Sequence, residues 1–78
     1  MQTMKYKTEN CIMIALTGRW DPKDCQEVVR LLCETLYDYQ PKVILDLSRL
    51  SYFEERGIEL VDRFQKKLIK QKRGFVVI

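Results

Sequence analysis

Apolar and polar positions change period several times along the 78-residue chain, and each change marks an element. Lys5 to Glu9 reads as a short polar edge strand, with Glu9-Asn10 as a turn. Cys11-Ile12-Met13-Ile14-Ala15-Leu16-Thr17 is almost continuously apolar, which predicts a strand buried on both faces. Gly18-Arg19-Trp20 breaks that run. A helix then opens at Asp21-Pro22-Lys23-Asp24. Asp21 is suited to capping, Pro22 to the first helical position, and the charge of Asp24 to the positive end of the dipole. Cys25, Val28, Val29, Leu32, Leu36 and Tyr39 share one face at about 100° per residue. Gln40-Pro41 is expected to end the helix, because proline cannot continue it.

Lys42 to Leu47 reads as a second buried strand, and Ser51-Tyr52-Phe53-Glu54 has the spacing of a capping box. A second helix is predicted from about Tyr52 to Lys72. Its inner half carries Gly57, Ile58, Leu60, Val61, Phe64, Leu68 and Ile69; its outer half carries Arg56, Glu59, Arg63, Lys66, Lys67 and Lys70. Arg73-Gly74 ends it, and Phe75-Val76-Val77-Ile78 reads as a third buried strand. The order is β-β-α-β-α-β, an α/β domain with a mixed sheet of about four strands packed against two helices. The first two strands are free to form an antiparallel hairpin, and the core strands are parallel. No repeat or linker divides the chain, so residues 1–78 form one domain. It stops on a strand too apolar to stand uncovered, so either a further helix or a partner is expected to shield it.

Composition narrows the chemistry. The chain has no His, which removes the commonest general base and the Ser-His and Cys-His nucleophile pairs. Its three cysteines, Cys11, Cys25 and Cys33, are widely spaced, so no metal site is expected and they read as reduced packing residues. With glycines only at 18, 57 and 74 there is no phosphate-binding glycine loop. No apolar run nears the roughly 20 residues of a membrane span, and the first residues lack the apolar stretch of a secretory signal. A cytoplasmic protein without cofactor, and not an enzyme, is the expectation. Half of the Lys and Arg residues lie between Arg56 and Arg73. Glu59–Arg63 and Asp62–Lys66 are i,i+4 pairs, however, and no aromatic residues interleave with the cluster. A solvated helix face is the better reading than a nucleic-acid site.

The sequence resembles the STAS family, the domains of anti-sigma factor antagonists and of sulfate-transporter tails. The resemblance is carried by Leu16-Thr17-Gly18-Arg19-Trp20-Asp21, by the strand ending Asp46-Leu47-Ser48, and by the helix-opening loop Glu54-Glu55-Arg56-Gly57-Ile58. In the family that loop reads Asp-Ser-Ser-Gly-Leu, and in the antagonist branch a partner kinase that is also the anti-sigma factor phosphorylates its first Ser or Thr. The matching position here is Glu55, which has no hydroxyl, and Arg56 replaces the second Ser. The resemblance implies a STAS-like sheet, a C-terminally shortened domain lacking the family's last helix, and a non-enzymatic regulatory or adaptor role. The implied partner is a switch kinase acting as anti-sigma factor, a stressosome-like assembly or a transporter ATPase.

Ser51, Tyr52, Phe53, Glu54, Glu55, Arg56 and Gly57 are therefore the expected partner-binding residues. Glu55 has two readings: a permanent charge where phosphate would sit, or a good first-turn residue in a chain that lost the regulation. Glu54 is expected to serve the capping box, Arg56 to pair with a partner, Asp46 or a neighbouring Glu, and Gly57 to permit close helix-to-strand approach. Tyr52 and Phe53 are the candidates for exposed contact surface, Trp20 for a plug at one end of the core, and Tyr37 for simple exposure. Two alternatives stand beside the adaptor reading. One is a small nucleotide- or ligand-binding α/β domain; the other is a degenerate structural domain that assembles, as a homodimer, through its uncovered strand.

Overall fold

The computed structural model describes residues 1–78 as one four-stranded sheet with both helices on one face. In chain order the elements are β1 (Gln2–Lys7), β2 (Cys11–Trp20), a 3-10 turn (Pro22–Asp24), α1 (Cys25–Leu36), β3 (Lys42–Phe53), α2 (Glu55–Lys70) and β4 (Gly74–Val77). The strands lie in the order β1-β2-β3-β4. β1 and β2 form the expected antiparallel hairpin, while β2–β3 and β3–β4 are parallel, as helical crossovers require. The mixed α/β architecture of the sequence reading is thus the observed one.

The core lies between the sheet and the two helices. Ile12, Ile14 and Leu16 of β2 and Val43 and Leu45 of β3 point to the same side, where Val28, Leu31 and Leu32 of α1 and Phe64 and Leu68 of α2 meet them. Burying each such side chain contributes about 1.5–3 kcal/mol, the main favourable term in so small a domain. Trp20, fully buried, closes one end of this core, as expected. At the other end Arg73 is buried and donates from Nε to the Gln40 carbonyl at 2.8 Å and from Nη1 to the Thr35 carbonyl at 3.2 Å. It ties the last turn of α1 and the following loop to the base of β4.

Several local expectations are corrected. β1 starts at Gln2 and stops at Lys7, because Thr8 starts the turn: its Oγ1 accepts from the Asn10 and Cys11 amides. β2 is not buried on both faces; from Cys11 to Thr17 burial alternates residue by residue, since no helix lies on the second face. There Tyr6, Met13, Ile44 and Val76 form a row across all four strands, half-buried or exposed. Gly18 bends β2 instead of ending it: at φ +95° beside a register shift, it lets the strand run on to Trp20. α1 ends at Leu36, well before Pro41. It buries Leu31 and Thr35, whereas Val29 is exposed and Tyr39 lies beyond the helix, 82% exposed.

β3 is the largest departure. It continues to Phe53, so Ser51 is a strand residue and caps nothing; its Oγ donates to the Gly18 carbonyl at 3.2 Å. α2 accordingly starts at Glu55 and ends at Lys70. Ile58 and Ile69, placed by periodicity on its inner half, are 64% and 62% exposed. The last strand is an exposed edge and not a third buried strand.

Candidate functional site

Beyond the bulge at Gly18, β2 and β3 run side by side for two further pairs, Arg19 with Tyr52 and Trp20 with Phe53. This extension carries the strand ends past the core and sets the first turn of α2 directly on them. Trp20 and Phe53 meet edge-to-face, with ring centroids 4.8 Å apart and planes at 86°. Gly57 lies against that pair: a Cβ there would sit 2.8 Å from Trp20 Cη2 and 3.1 Å from Phe53 Cζ. The expected close approach at Gly57 is therefore to two aromatic rings. Phe53, expected at the surface, is half-buried in this platform.

Glu54 is the N-cap of α2, in extended conformation at φ −60°, ψ 133°. Its carbonyl accepts from the Gly57 amide at 2.8 Å, and its carboxylate accepts from the Arg56 amide at 3.4 Å and from Arg56 Nε at 3.2 Å. The capping box expected of Ser51 and Glu54 is not formed: Glu54 is itself the N-cap, and Ser51 lies in β3. Glu54 is only 7% exposed, and its carboxylate lies beside the positive end of the helix dipole. Arg56 thus pairs with Glu54 and not with Asp46. Asp46 turns back on its own strand: Oδ1 accepts from the Ser48 amide at 2.9 Å and from Ser48 Oγ at 2.6 Å. The Ser48 hydroxyl first, and its amide second, hold the Asp46 carboxyl below its ordinary value.

Two exposed groups remain at the surface, one on the first turn of α2 and one on the paired strand ends. Glu55, in the first turn of α2, is exposed and has no ion-pair partner in the fold. Arg56 is exposed beside it. Tyr52 is exposed with the Arg19 guanidinium 4.6 Å above its ring, and Arg19 is itself held by Asp21 at 3.1 Å. The structure therefore brings together Ser51, Tyr52, Phe53, Glu54, Glu55, Arg56 and Gly57 at the carboxyl ends of β2 and β3, but in two roles. Phe53, Glu54 and Gly57 build the support; Tyr52, Glu55 and Arg56 face solvent. Arg19, paired with Tyr52, joins the candidate site, and the sequence reading missed it. Its only signal was the Gly-Arg-Trp break, which looked like the end of a strand.

The rest of the surface carries little chemistry. No three His, Cys, Asp or Glu side chains gather to hold a metal, and no helix is long and apolar enough to cross a membrane. The three cysteines are free thiols. Glu59–Arg63 and Asp62–Lys66 form the expected i,i+4 pairs, at 2.7 Å and 3.1 Å, on the outer side of α2.

No family model matches the sequence, and no curated protein matches it either. Solved structures do. An anti-sigma factor antagonist from Mycobacterium paratuberculosis superposes with a TM-score of 0.88 at 18% identity, covering 97% of this chain and 64% of that one. SpoIIAA, a Bacillus cell-fate determinant and anti-sigma factor antagonist, matches at 18% identity in its unphosphorylated and phosphorylated forms. Their TM-scores are 0.82 and 0.79, over 99% of this chain and 68% and 70% of theirs. The STAS domain of an antagonist from Rhodobacter sphaeroides gives 0.80 at 9% identity, over 99% of this chain and 84% of that one. The chain spans just under two thirds of the mycobacterial protein's length. By its fold it is a STAS-like domain, built as the anti-sigma factor antagonists are built.

Proposed function

We propose that this chain is a non-enzymatic regulatory or adaptor module that docks a protein partner through residues 51–57. The observation that carries the reading is the unpaired Glu55 carboxylate in the first turn of α2, a turn seated through Gly57 on the Trp20–Phe53 pair, with the exposed Arg56 next to it and Tyr52 exposed at the end of β3. A rigid base presenting an aromatic ring and both signs of charge suits specific protein recognition. The likeness of fold to anti-sigma factor antagonists supports the same class of role. By that resemblance the partner is a switch kinase serving as anti-sigma factor, a stressosome-like assembly or a transporter ATPase.

Regulation by phosphate at the family position is absent from this reading, because Glu55 offers no hydroxyl. Its charge is permanent, with about half or two thirds the charge of a phosphoserine and fewer acceptor oxygens. Binding is then set by how much partner is present. The test is affinity capture from the source cells with wild-type chain, Glu55→Lys and Arg56→Glu, and with Lys70→Ala as a distant control. Specific loss of one captured protein with the first two variants supports the reading. Equal capture by all four defeats it.

A further inference from the structure

We infer that the groove between α1 and α2 takes an acidic amphipathic helix of the protein partner, extending recognition from residues 51–57 along the helical face. The inference rests on the reading of this chain as a protein-docking module. The two helices run in the same direction, because each carries the chain back from the end of one parallel strand to the start of the next. Their facing flanks leave a groove that opens beside Arg56. At its far end Gln71 of the α2 C-cap donates from Nε2 to the Leu36 carbonyl at 3.1 Å. The α1 wall uses the whole 12-residue helix, about 18 Å at 1.5 Å per residue.

The two walls differ in a way that selects the occupant. α1 lends only uncharged groups, Val29, Leu32 and Leu36 as apolar surface with Gln26 and the Cys33 thiol beside them. α2 adds Leu60 and Phe64 to the apolar floor and carries every charge of the rim: Arg56, Arg63 and Lys67 against Glu59 alone. Glu59 is taken by Arg63 at 2.7 Å and Arg56 by Glu54 at 3.2 Å, while Lys67 enters no ion pair of the fold. At 100° per residue the three cations fall within about 40° of one another, a single row along one lip of the groove. An occupant with carboxylates on the flank facing α2 and none needed on the flank facing α1 is the complement.

Shape points to a helix and not to a free small molecule. The apolar hollow between Val29, Leu32, Leu60 and Phe64 holds about 180 Å³. Sites for drug-sized ligands run to about 300–1,000 Å³, so this one suits a side chain inserted from above. The adjoining hollow toward Arg56 is larger, about 360 Å³, but mostly polar, and it joins the groove to the start of α2. A helix laid along the groove would set apolar residues on the floor turn by turn and its acidic flank against Arg56, Arg63 and Lys67. Val29, an apolar residue of α1 that the fold leaves 38% exposed, then gains a contact.

The experiment selects binders for the full chain from a phage-displayed library of helices randomised on one face and its flanks. Selected helices should carry Asp or Glu along one flank of an apolar stripe, and their affinity should fall with added salt. Cys33 is the exposed cysteine and lies in the groove wall, so bound helix should slow its alkylation by iodoacetamide, read by intact mass. Val29→Arg fills the groove and Lys67→Glu reverses the unpaired cation; each should weaken binding about tenfold or more at unchanged circular dichroism. Lys70→Ala should bind as wild type does. A selection that yields no helix, helices without acidic bias, or binding that leaves Cys33 alkylation unchanged overturns the proposal. Capture from the source cells separates this inference from the reading it extends. Loss of the captured protein with Glu55→Lys but not with Val29→Arg or Lys67→Glu overturns the groove and spares residues 51–57. The reverse pattern supports the groove and removes residues 51–57 from the interface.

Discussion

The Gly57 Cα lies so close to the Trp20 indole that an added Cβ would stand 2.8 Å from Cη2 and 3.0 Å from Cζ2. Neither ring can yield easily, since Trp20 is fully buried and held edge-on by Phe53. Gly57→Ala should therefore destabilise the domain by about 1–3 kcal/mol, the cost of overpacking, outweighing a helix-propensity gain of about 1 kcal/mol. Urea unfolding followed by circular dichroism measures it. In a Trp20→Phe background the smaller ring should reduce the added cost of Gly57→Ala, and strict additivity would show that the contact is not the cause.

Glu54 caps α2 from a nearly buried position. Glu54→Ala should cost about 1 kcal/mol, with the Arg56 amide losing its carboxylate acceptor. Ser51→Ala should cost less, because Ser51 bonds across to the Gly18 carbonyl and caps nothing. Equal losses for the two would restore the capping-box reading.

Much of the fold was legible because the strong signals are local. The Asp21-Pro22 start, the hairpin and the alternation of strands with amphipathic helices needed no tertiary information. The failures share a cause. Ser51-Tyr52-Phe53-Glu54 has capping-box spacing, yet pairing with Arg19 and Trp20 across the sheet keeps Tyr52 and Phe53 extended. Met13 and Ile44 looked doubly buried because apolar residues occupy both faces, and sequence alone does not say which face lacks helices. At the site, the charged start of α2 and the exposed Glu55 were readable, but the residues before it are strand and not loop. The division into a supporting set and a presented set depends on Trp20, which meets Gly57 only in three dimensions.

Asp38 follows α1 and receives Lys7 Nζ at 2.8 Å and Lys5 Nζ at 2.9 Å, fastening the β1 edge to the helix end. Burial works against its ionisation, but the hydrogen bonds from Lys7 and Lys5 outweigh it and hold the carboxyl below the ordinary 3.8. A carboxyl lowered by folding adds stability above its unfolded value and loses it as the pH falls through the folded one. Wild type should thus exceed Asp38→Asn in urea stability at pH 6, and the gap should shrink below about pH 4 and close under acid. A gap that is constant from pH 6 to 2 would exclude this ion pair as its source.

Arg73 donates to the Gln40 and Thr35 carbonyls and, from Nη1, to Gln71 Oε1 at 2.8 Å. A planar fork serving three acceptors has no lysine equivalent. Arg73→Lys should cost about 1–3 kcal/mol through acceptors left unpaired, read as a lower urea midpoint at unchanged slope. No loss would show that the loop before β3 closes without it.

Phosphate chemistry offers a test of residue 55 alone. Glu55→Ser supplies a hydroxyl on the same exposed helix turn, so a cognate kinase should add about 80 Da, visible by intact mass, while wild type stays unmodified. Phosphate on wild type at Ser51 or Tyr52 would show that control had moved to the end of β3.

Recognition through residues 51–57 is the central claim, and a nuclear magnetic resonance titration of the isotope-labelled chain with its captured partner tests it most directly. Amide shifts should concentrate at Tyr52, Glu55 and Arg56 and at Arg19 across the strand pair, and Glu55→Lys should weaken the affinity by tenfold or more. Shifts confined to the open sheet face or to β4, with Glu55→Lys binding as wild type does, would contradict it.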